Sequence, residues 1–229
     1  MPSRYIATII CFANSKKLNG RCVAGKLIQH DQLGSWIRPV SSRPGGEISQ
    51  SEMQLRTGGE PVLLDVISVP MLRGAPHGYQ SENHTIDASA WWTRVRRASF
   101  AEARAALDAP QPDLWGTSSS SYSGINDRIA IADASVFDHS LRLIEVSDLR
   151  IRVSVEGAAF NNQDRRIRGY FSYSKNQYAI SITDPAIEAK YFAMKDGWHD
   201  VGKAILCVSL GEPYKGHAYK LIAGVILPA

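Results

Sequence analysis

Apolar and polar residues alternate along much of the second half of the chain, with the period of two that is typical of half-buried β-strands. Residues 149–156 show this most clearly, with Leu, Ile, Val and Val at the odd positions and Arg, Arg, Ser and Glu at the even ones. The strands predicted in this half cover residues 149–156, 166–173, 178–183, 204–210 and 219–227. The pattern therefore predicts about five short strands.

The first half of the chain has strand-like patterns too, separated by longer loops. Residues 5–12 are apolar on both faces, as in a strand buried within a sheet. The Asn19-Gly20 pair predicts a tight hairpin into the next strand, and Pro39 suits a third strand only at an edge of the sheet or at its own end. Predicted strands cover residues 5–12, 21–28, 35–40 and 61–69, and residues 41–59 are predicted to form a loop.

Two short helices are predicted from their capping residues. Ser99 and Glu102 have the spacing of a capping box, which predicts a helix near residues 99–108. Asp184 is followed by a proline and favours the start of a second helix over residues 186–194, because aspartate caps well and proline suits the first helical position. This second helix would lie just before the last two strands.

Five short strands with a helix before the last pair are the element order of an OB-type barrel, and the first half offers a similar number of strands. We therefore expect a mainly β protein, all-β or α+β in class, built as two OB-like small β-barrel modules with one or two short helices. The first module would cover residues 1–139, with long loops and the helix near 99–108, and the second would cover residues 140–229. The serine-rich residues 117–124 would form a flexible surface loop.

Short sequence stretches spread over nearly the whole chain form a series that is moderately specific in its order. They are GRCVAG at 20–25, WIRPVS at 36–41, YQSEN at 79–83, GINDR at 124–128, the segment from Tyr178 to Asp184-Pro185, CVSLGEP at 207–213 and YKLIA at 219–223. This series resembles the dual OB-containing domain of bacterial proteins, some of which are associated with genome-defence loci. The resemblance implies two OB-like barrels and a nucleic-acid-binding role, and it brings no catalytic residues with it.

The composition is that of a globular protein with a mildly basic balance. The net charge of +4 and the pI near 9.0 are compatible with an anionic partner such as nucleic acid. The three scattered cysteines do not form the even, patterned set of a disulfide framework. The histidines lack the spacing of zinc ligands, and no apolar run reaches the ~18 residues of a membrane span. We expect a cytoplasmic protein without a metal, a cofactor or a membrane partner.

The best candidate contact surface is the polar face of two strands in the second module. Arg150 and Arg152 share the polar face of one strand, and Arg166, Arg168 and Tyr170 share that of another. If these strands pair, all five side chains lie on one surface, where cations could follow phosphates and the ring could stack on a base. Arginines on an exposed strand face are also ordinary solubilising surface when nearby carboxylates balance them, so this alternative stays open.

The first module offers a second, weaker set of candidate contact residues. Lys16, Lys17 and Arg21 flank a predicted turn, and Trp36 and Arg38 share one face of a short strand. Lysines in turns are usually just solvated, and a tryptophan close to a proline is more often part of the core than a platform for stacking. Both interpretations stay open at this point.

An enzymatic role has three weak candidate residues, Asp184, Glu212 and Lys220. Two carboxylates that meet at one end of a barrel could do acid–base work or hold a divalent metal, although Asp184 also has a capping explanation and Glu212 a turn explanation. The leading hypothesis is a non-catalytic nucleic-acid-binding or adaptor protein that works with a partner enzyme in bacterial defence or genome maintenance. The alternatives are a small-ligand or nucleotide-processing enzyme with its site between the modules, and a purely structural interaction module.

Overall fold

β-strands dominate both halves of the chain, as the alternating pattern predicts. A computed structural model describes residues 4–30, 32–157, 161 and 163–228. The chain divides into two units, and each is described by itself. The first unit runs to Ala106 and includes Asp138–Ser140, and the second unit consists of Leu107–Phe137 and the residues from Leu141 onward.

The first unit is a closed barrel of five strands with one extra strand and one helix. Its elements are β1 (Tyr5–Lys17), β2 (Gly20–Gln29), β3 (Gln32–Val40), β4 (Asp65–Gly74), β5 (Asn83–Ile86), β6 (Thr93–Arg97) and α1 (Phe100–Ala105). β1 pairs with β2, β2 with β3 and β4 with both β1 and β5, all antiparallel, while β3 and β5 pair in parallel and close the barrel. This 1-2-3-5-4 order is that of an OB barrel.

The core of this barrel is completed by the long segment between β3 and β4. Ile48, Met53 and Leu55 from this segment are fully buried in one cluster with the strand residues Ile9 and Ile67. Apolar burial of this kind stabilises the segment, together with backbone hydrogen bonds such as the pair that Ile48 exchanges with Arg21. The predicted loop over residues 41–59 therefore contributes to the core of the barrel.

Two strands of the first unit, β4 and β3, differ in part from their predictions. The strand expected over residues 61–69 begins only at Asp65, because Leu64 has a positive φ of 71° and the Asp65 N–H bonds the carbonyl of Val62 in a turn. The third strand lies between two neighbours rather than at an edge, and Pro39 stands one residue before its end, where the missing N–H matters least.

The second unit is also a closed five-stranded barrel. Its elements are β7 (Arg128–Ala130), α2 (Ile131–Ala134), β8 (Leu141–Val155), β9 (Arg165–Tyr173), β10 (Asn176–Ile182), α3 (Pro185–Phe192), β11 (Gly197–Tyr214) and β12 (His217–Ile226). β9 lies between β8 and β10, β11 lies between β8 and β12, and β10 and β12 pair in parallel to close the ring. The prediction of five strands with a helix before the last pair is confirmed.

The predicted division after residue 139 differs from the division in the structure, which assigns Leu107–Phe137 to the second unit. β7 extends the second barrel by pairing with β12. Ile125 exchanges two backbone hydrogen bonds with Ala179, and the Leu114 N–H donates to the Tyr178 hydroxyl at 3.0 Å. These bonds join a stretch of mostly irregular backbone to the second barrel, and the strand pattern alone does not reveal them.

Both predicted helix caps are present. Ser99 and Glu102 form a complete capping box at α1, and the Asp184 side chain accepts hydrogen bonds from the N–H groups of Ala186 and Ile187 at α3. α1 and α3 are shorter than predicted. None of the helices in the described part of the chain is long and apolar enough to cross a membrane.

The Asp184 cap should contribute more to stability than the exposed cap at Ser99. Asp184 is buried, and its second carboxylate oxygen accepts the Val225 N–H at 3.1 Å. We expect Asp184→Ala to lower the free energy of unfolding by about 2–3 kcal/mol, since it removes the cap and leaves a buried N–H unpaired. Ser99→Ala should cost about 1 kcal/mol. Urea unfolding measures both, and equal losses would contradict a role for the bond to Val225.

Candidate nucleic-acid interface

The strands β8 and β9 pair as the candidate surface of the second module requires. Arg150 lies opposite Tyr170 and Arg152 lies opposite Arg168 in an antiparallel register, with Arg166 two residues before Arg168 on the same strand. Directly opposed residues point to the same face of a sheet. The predicted common face therefore exists, and its contact with a ligand stays a prediction.

Arg168 is buried on this face, so it is not the exposed cation that the sequence suggested, and its contact with a ligand stays a prediction. Arg168 is 5% exposed. Its guanidinium donates hydrogen bonds to the carboxylates of Glu156 at 2.8 Å and Asp127 at 3.2 Å, and to the carbonyl of Ala179 at 3.0 Å. Burial opposes the positive charge, but the hydrogen bonds and charges of the two acids raise the pKa of Arg168. Arg168 joins parts of the barrel to one another.

Arg38 in the first unit is buried in a similar way, and it too is not the exposed cation that the sequence suggested. Its guanidinium lies 3.1 Å from a Glu82 carboxylate oxygen and donates to the Ser140 hydroxyl at 2.8 Å. Trp36 is half-buried, with its ring edge-on to Phe12 at a centroid distance of 6.0 Å. The packing of Trp36 agrees with the core interpretation more than with a free stacking platform.

The remaining candidates in the first unit surround the β1–β2 turn. Lys16 and Arg21 line a cavity of about 310 Å³, and Arg21 forms an ion pair with Glu60 across 3.2 Å. Lys17, at the end of β1, is half-buried. A contact of these cations with an anionic ligand stays a prediction, and the ion pair of Arg21 would compete with it.

A groove of about 530 Å³ opens on the second barrel at the place where OB barrels bind ligands. In an OB barrel this place is the face of strands two and three, together with the loops after strands one and four. In the second barrel strands two and three are β9 and β10, and the two loops follow β8 and β11. The groove is lined from the loop after β8 by Glu156, from β9 by Arg166 and Arg168, and from the β11–β12 hairpin by Tyr214 and Lys215.

Three tyrosines line this groove. Tyr122 is 79% exposed and Tyr214 is 60% exposed, while Tyr219 is half-buried at a centroid distance of 6.3 Å from Tyr214. The Lys215 ammonium lies 5.3 Å from the centroid of the Tyr214 ring. Exposed rings of this size cost hydrophobic free energy in water, so their occurrence together in one groove indicates a binding surface.

The cations of the groove are more accessible than its acids. Lys215 and Arg166 are exposed, and Arg128 donates to the hydroxyls of Ser119 at 3.0 Å and Tyr219 at 3.5 Å. Arg166 has an exposed ion pair with Asp164, a type that contributes little and can be exchanged for another anion. The carboxylate that lines the groove belongs to Glu156, and Arg168 neutralises it. The accessible charge is therefore positive.

The serine-rich segment forms one wall of the groove and is anchored rather than loose. The Asp127 carboxylate accepts hydrogen bonds from both the N–H and the hydroxyl of Ser121, and it also binds Arg168. A Cβ atom at Gly124 would lie 1.9 Å from an Asp127 carboxylate oxygen, so only glycine fits there. The predicted flexible loop thus has a defined place on the barrel.

A second exposed cluster lies on β8, β9 and β11. Trp198 is 46% exposed, and its ring centroid lies 4.5 Å from the Arg150 guanidinium carbon, 5.5 Å from that of Arg152 and 4.6 Å from the centroid of the Tyr170 ring. We call these four residues the Trp198 patch. Tyr170 itself is half-buried.

The sequence prediction missed Trp198 and the tyrosines of the groove. Trp198 was missed because the strand predicted to begin at residue 204 begins at Gly197. Tyr122 and Tyr214 lie in a loop and at a strand end, where no periodicity marks a surface. Tyr214 and Lys215 could have been predicted as contact residues in one way. The turn at Lys215 joins the last two OB strands, and this loop belongs to the ligand face of the fold.

The three enzymatic candidates all lie in the second unit. Asp184 is occupied by three backbone N–H groups, and burial raises its pKa in spite of them. Glu212 is exposed on β11. Lys220 is 1% exposed, and its ammonium donates to the Gly116 carbonyl. Within the described ranges, no cluster of three or more His, Cys, Asp or Glu side chains is placed to hold a metal ion.

The buried Lys220 should make stability depend on pH in the alkaline range. Burial lowers its pKa to about 8, although Asp113 and Asp127 nearby act in the opposite direction. Between pH 8 and about 10 the unfolded chain therefore binds the Lys220 proton more tightly than the folded chain does. The free energy of unfolding of the wild type, relative to that of Lys220→Met, should rise with pH in this range by up to about 3 kcal/mol.

Urea unfolding of the wild type and of Lys220→Met at several pH values measures this difference. Lys203→Met removes an exposed lysine that has an ion pair with Glu145 and serves as the control. Parallel stability curves for the wild type and Lys220→Met would show that Lys220 does not titrate in this range.

Comparison with known families agrees with this geometry. The family model described as the dual OB-containing domain matches residues 7–225. No match was found among curated proteins or among solved structures. With two closed barrels in OB strand order and a match over nearly its whole length, the chain belongs to the dual OB-containing domain family.

Proposed function

We propose that the protein binds single-stranded nucleic acid in the groove of the second barrel. The observation that carries the proposal is the combination of Tyr122, Tyr214 and Tyr219 with the accessible cations Arg166 and Lys215 at the ligand face of an OB barrel. Sequence-tolerant binding of single strands uses this combination, in which rings stack on bases and cations follow the phosphates.

The tyrosines favour a single strand over a duplex. A ring can stack only on a base whose face is open, and in a duplex the neighbouring base pairs cover that face. Tyr122 and Tyr214 are both more than half exposed, so their rings are available to unpaired bases. Recognition through stacking and phosphate contacts distinguishes single strands from duplexes more than it distinguishes one base sequence from another.

The proposal includes a role without catalysis, as an adaptor that holds a strand for a partner enzyme in bacterial defence or genome maintenance. Asp184 and Lys220 support this choice over the enzymatic alternative, because both are committed to backbone hydrogen bonds inside the barrel. A carboxylate or amine in such bonds is poorly placed to exchange protons with a substrate.

Loss of one groove ring should weaken binding without loss of the fold. Tyr214→Ala should lower the affinity for a single-stranded oligonucleotide about 5- to 150-fold, since one base stack contributes about 1–3 kcal/mol. Tyr214→Phe should bind like the wild type, because it keeps the ring. Fluorescence anisotropy with single-stranded DNA and RNA measures the affinities.

Two results would contradict the binding of a single strand in the groove. The first is a Tyr214→Ala variant that binds as tightly as the wild type, and the second is a failure of the wild type to bind any single strand in a salt-dependent manner. Tyr5→Ala, which removes an exposed tyrosine of the first unit, serves as the control and should leave the affinity unchanged.

Lys215 should contribute a phosphate contact that depends on salt. Lys215→Gln should reduce the slope of log K against log salt concentration by about 0.7–1, the value for one phosphate contact. The matched control is Lys175→Gln, since Lys175 is also an exposed turn lysine with positive φ but lies in the β9–β10 hairpin outside the groove. Equal slopes for the two variants would show that Lys215 makes no phosphate contact.

A further inference from the structure

One row of side chains crosses the outside of the second barrel and connects the groove with the Trp198 patch. Trp198 on β11 lies opposite Arg152 on β8, Arg152 lies opposite Arg168 on β9, and Arg168 lies opposite Ser181 on β10. Arg168 and Ser181 line the groove. Because opposed residues share a face and neighbouring strands lie about 4.8 Å apart, Trp198 is about 10 Å from the edge of the groove along this row.

The Trp198 patch has the same chemistry as the groove. It presents a tryptophan ring beside a tyrosine and two arginines, and the guanidinium of Arg150 lies close to the indole at 4.5 Å. Indole is the side chain that gains most from stacking and cation–π contacts. A ring and cations arranged in this way are suited to one more base and its phosphates.

The charge of the patch is complementary to a phosphate backbone. The ion pair of Arg150 with Asp200 is exposed on both sides, so it contributes little and can open. Arg152 is exposed, and no carboxylate in the described part of the chain lies within salt-bridge distance of it. Complementary charge together with continuity with the groove favours a nucleic-acid strand over a protein partner here.

We infer that a bound single strand leaves the groove, crosses β9 and β8 along this row, and places a base on Trp198 and phosphates on Arg150 and Arg152. This inference rests on the proposed function and extends it beyond the usual ligand face of an OB barrel, because Arg150, Arg152 and Trp198 lie on the strands that correspond to the first and fourth of the fold. It assigns a contact role to Arg152 and an aromatic platform to Trp198.

The inference determines the length of strand that the protein covers. From the edge of the groove at β9 to β11 the path crosses two strand spacings, about 10 Å. At about 3.4 Å per nucleotide in a stacked strand, this path adds about three nucleotides to those held in the groove. A strand of about five nucleotides would fill the groove alone, and one of about 12 nucleotides would also reach Trp198.

The test compares Trp198→Ala with the wild type on oligothymidylates of about five and about 12 nucleotides, measured by fluorescence anisotropy. Trp198→Ala should weaken binding of the longer strand about 5- to 150-fold, the contribution of one base stack, and leave binding of the shorter strand unchanged. Trp198→Phe should recover most of the loss. Trp91→Ala is the matched control, since it removes an exposed tryptophan of the first unit and should have no effect at either length.

The outcomes separate this inference from the proposed function. If Tyr214→Ala weakens binding at both lengths while Trp198→Ala equals the wild type, the path across β8 is wrong and the groove remains. If Trp198→Ala weakens both lengths equally, Trp198 acts on the groove itself and the extended path is again wrong. If the wild type binds neither length, the proposed function fails together with this inference. Thermal unfolding of Trp198→Ala checks that its fold is intact.

Discussion

The groove of the second barrel depends on one buried charge, the guanidinium of Arg168. A buried cation is tolerated only when acids and hydrogen-bond acceptors surround it, and removal of one partner from such a pair typically costs about 3–5 kcal/mol. Arg168 meets this requirement with partners from three parts of the chain: Glu156 in the loop after β8, the Ala179 carbonyl on β10 and Asp127 after the serine-rich segment. The need to pair one charge therefore fixes two walls of the groove.

A similar constraint operates in the first barrel, where Arg38 is buried against Glu82 and Ser140. Both arginines were candidates for contact with a ligand, Arg168 from the alternation of its strand and Arg38 from its position beside Trp36, and both are covered in the structure. Strand periodicity tells which face a residue is on, but it does not tell whether another segment lies over that face. A buried arginine in a strand is thus recognised only when its acid partners, which are distant in sequence, are known.

The sequence predicted the parts of the fold that are encoded locally. The caps at Ser99 and Asp184, the five barrel strands of the second unit and its helix α3 were found because capping residues and alternation act over a few neighbours. The position of Leu107–Phe137 on the second barrel was not found, because scattered tertiary hydrogen bonds fix it. The functional candidates divided in the same way: Arg150 and Arg152 were found from alternation, whereas Trp198 and Tyr214 needed the strand ends and loops that only the barrel topology supplies.

Some surface cations of the second barrel lie beside aromatic rings rather than in ion pairs, and this arrangement gives the second barrel its functional interest. In the first barrel the ion pairs of Arg21 with Glu60 and of Arg94 with Asp65 hold cations beside acids. In the second barrel Lys215 and Arg152 lie beside aromatic rings instead. A cation next to an exposed ring keeps its charge available, and the ring offers a face to a base, so one ligand can use both contacts at once. An ion pair, in contrast, must open before its cation can bind a phosphate, and this cost reduces the affinity gained at the first barrel.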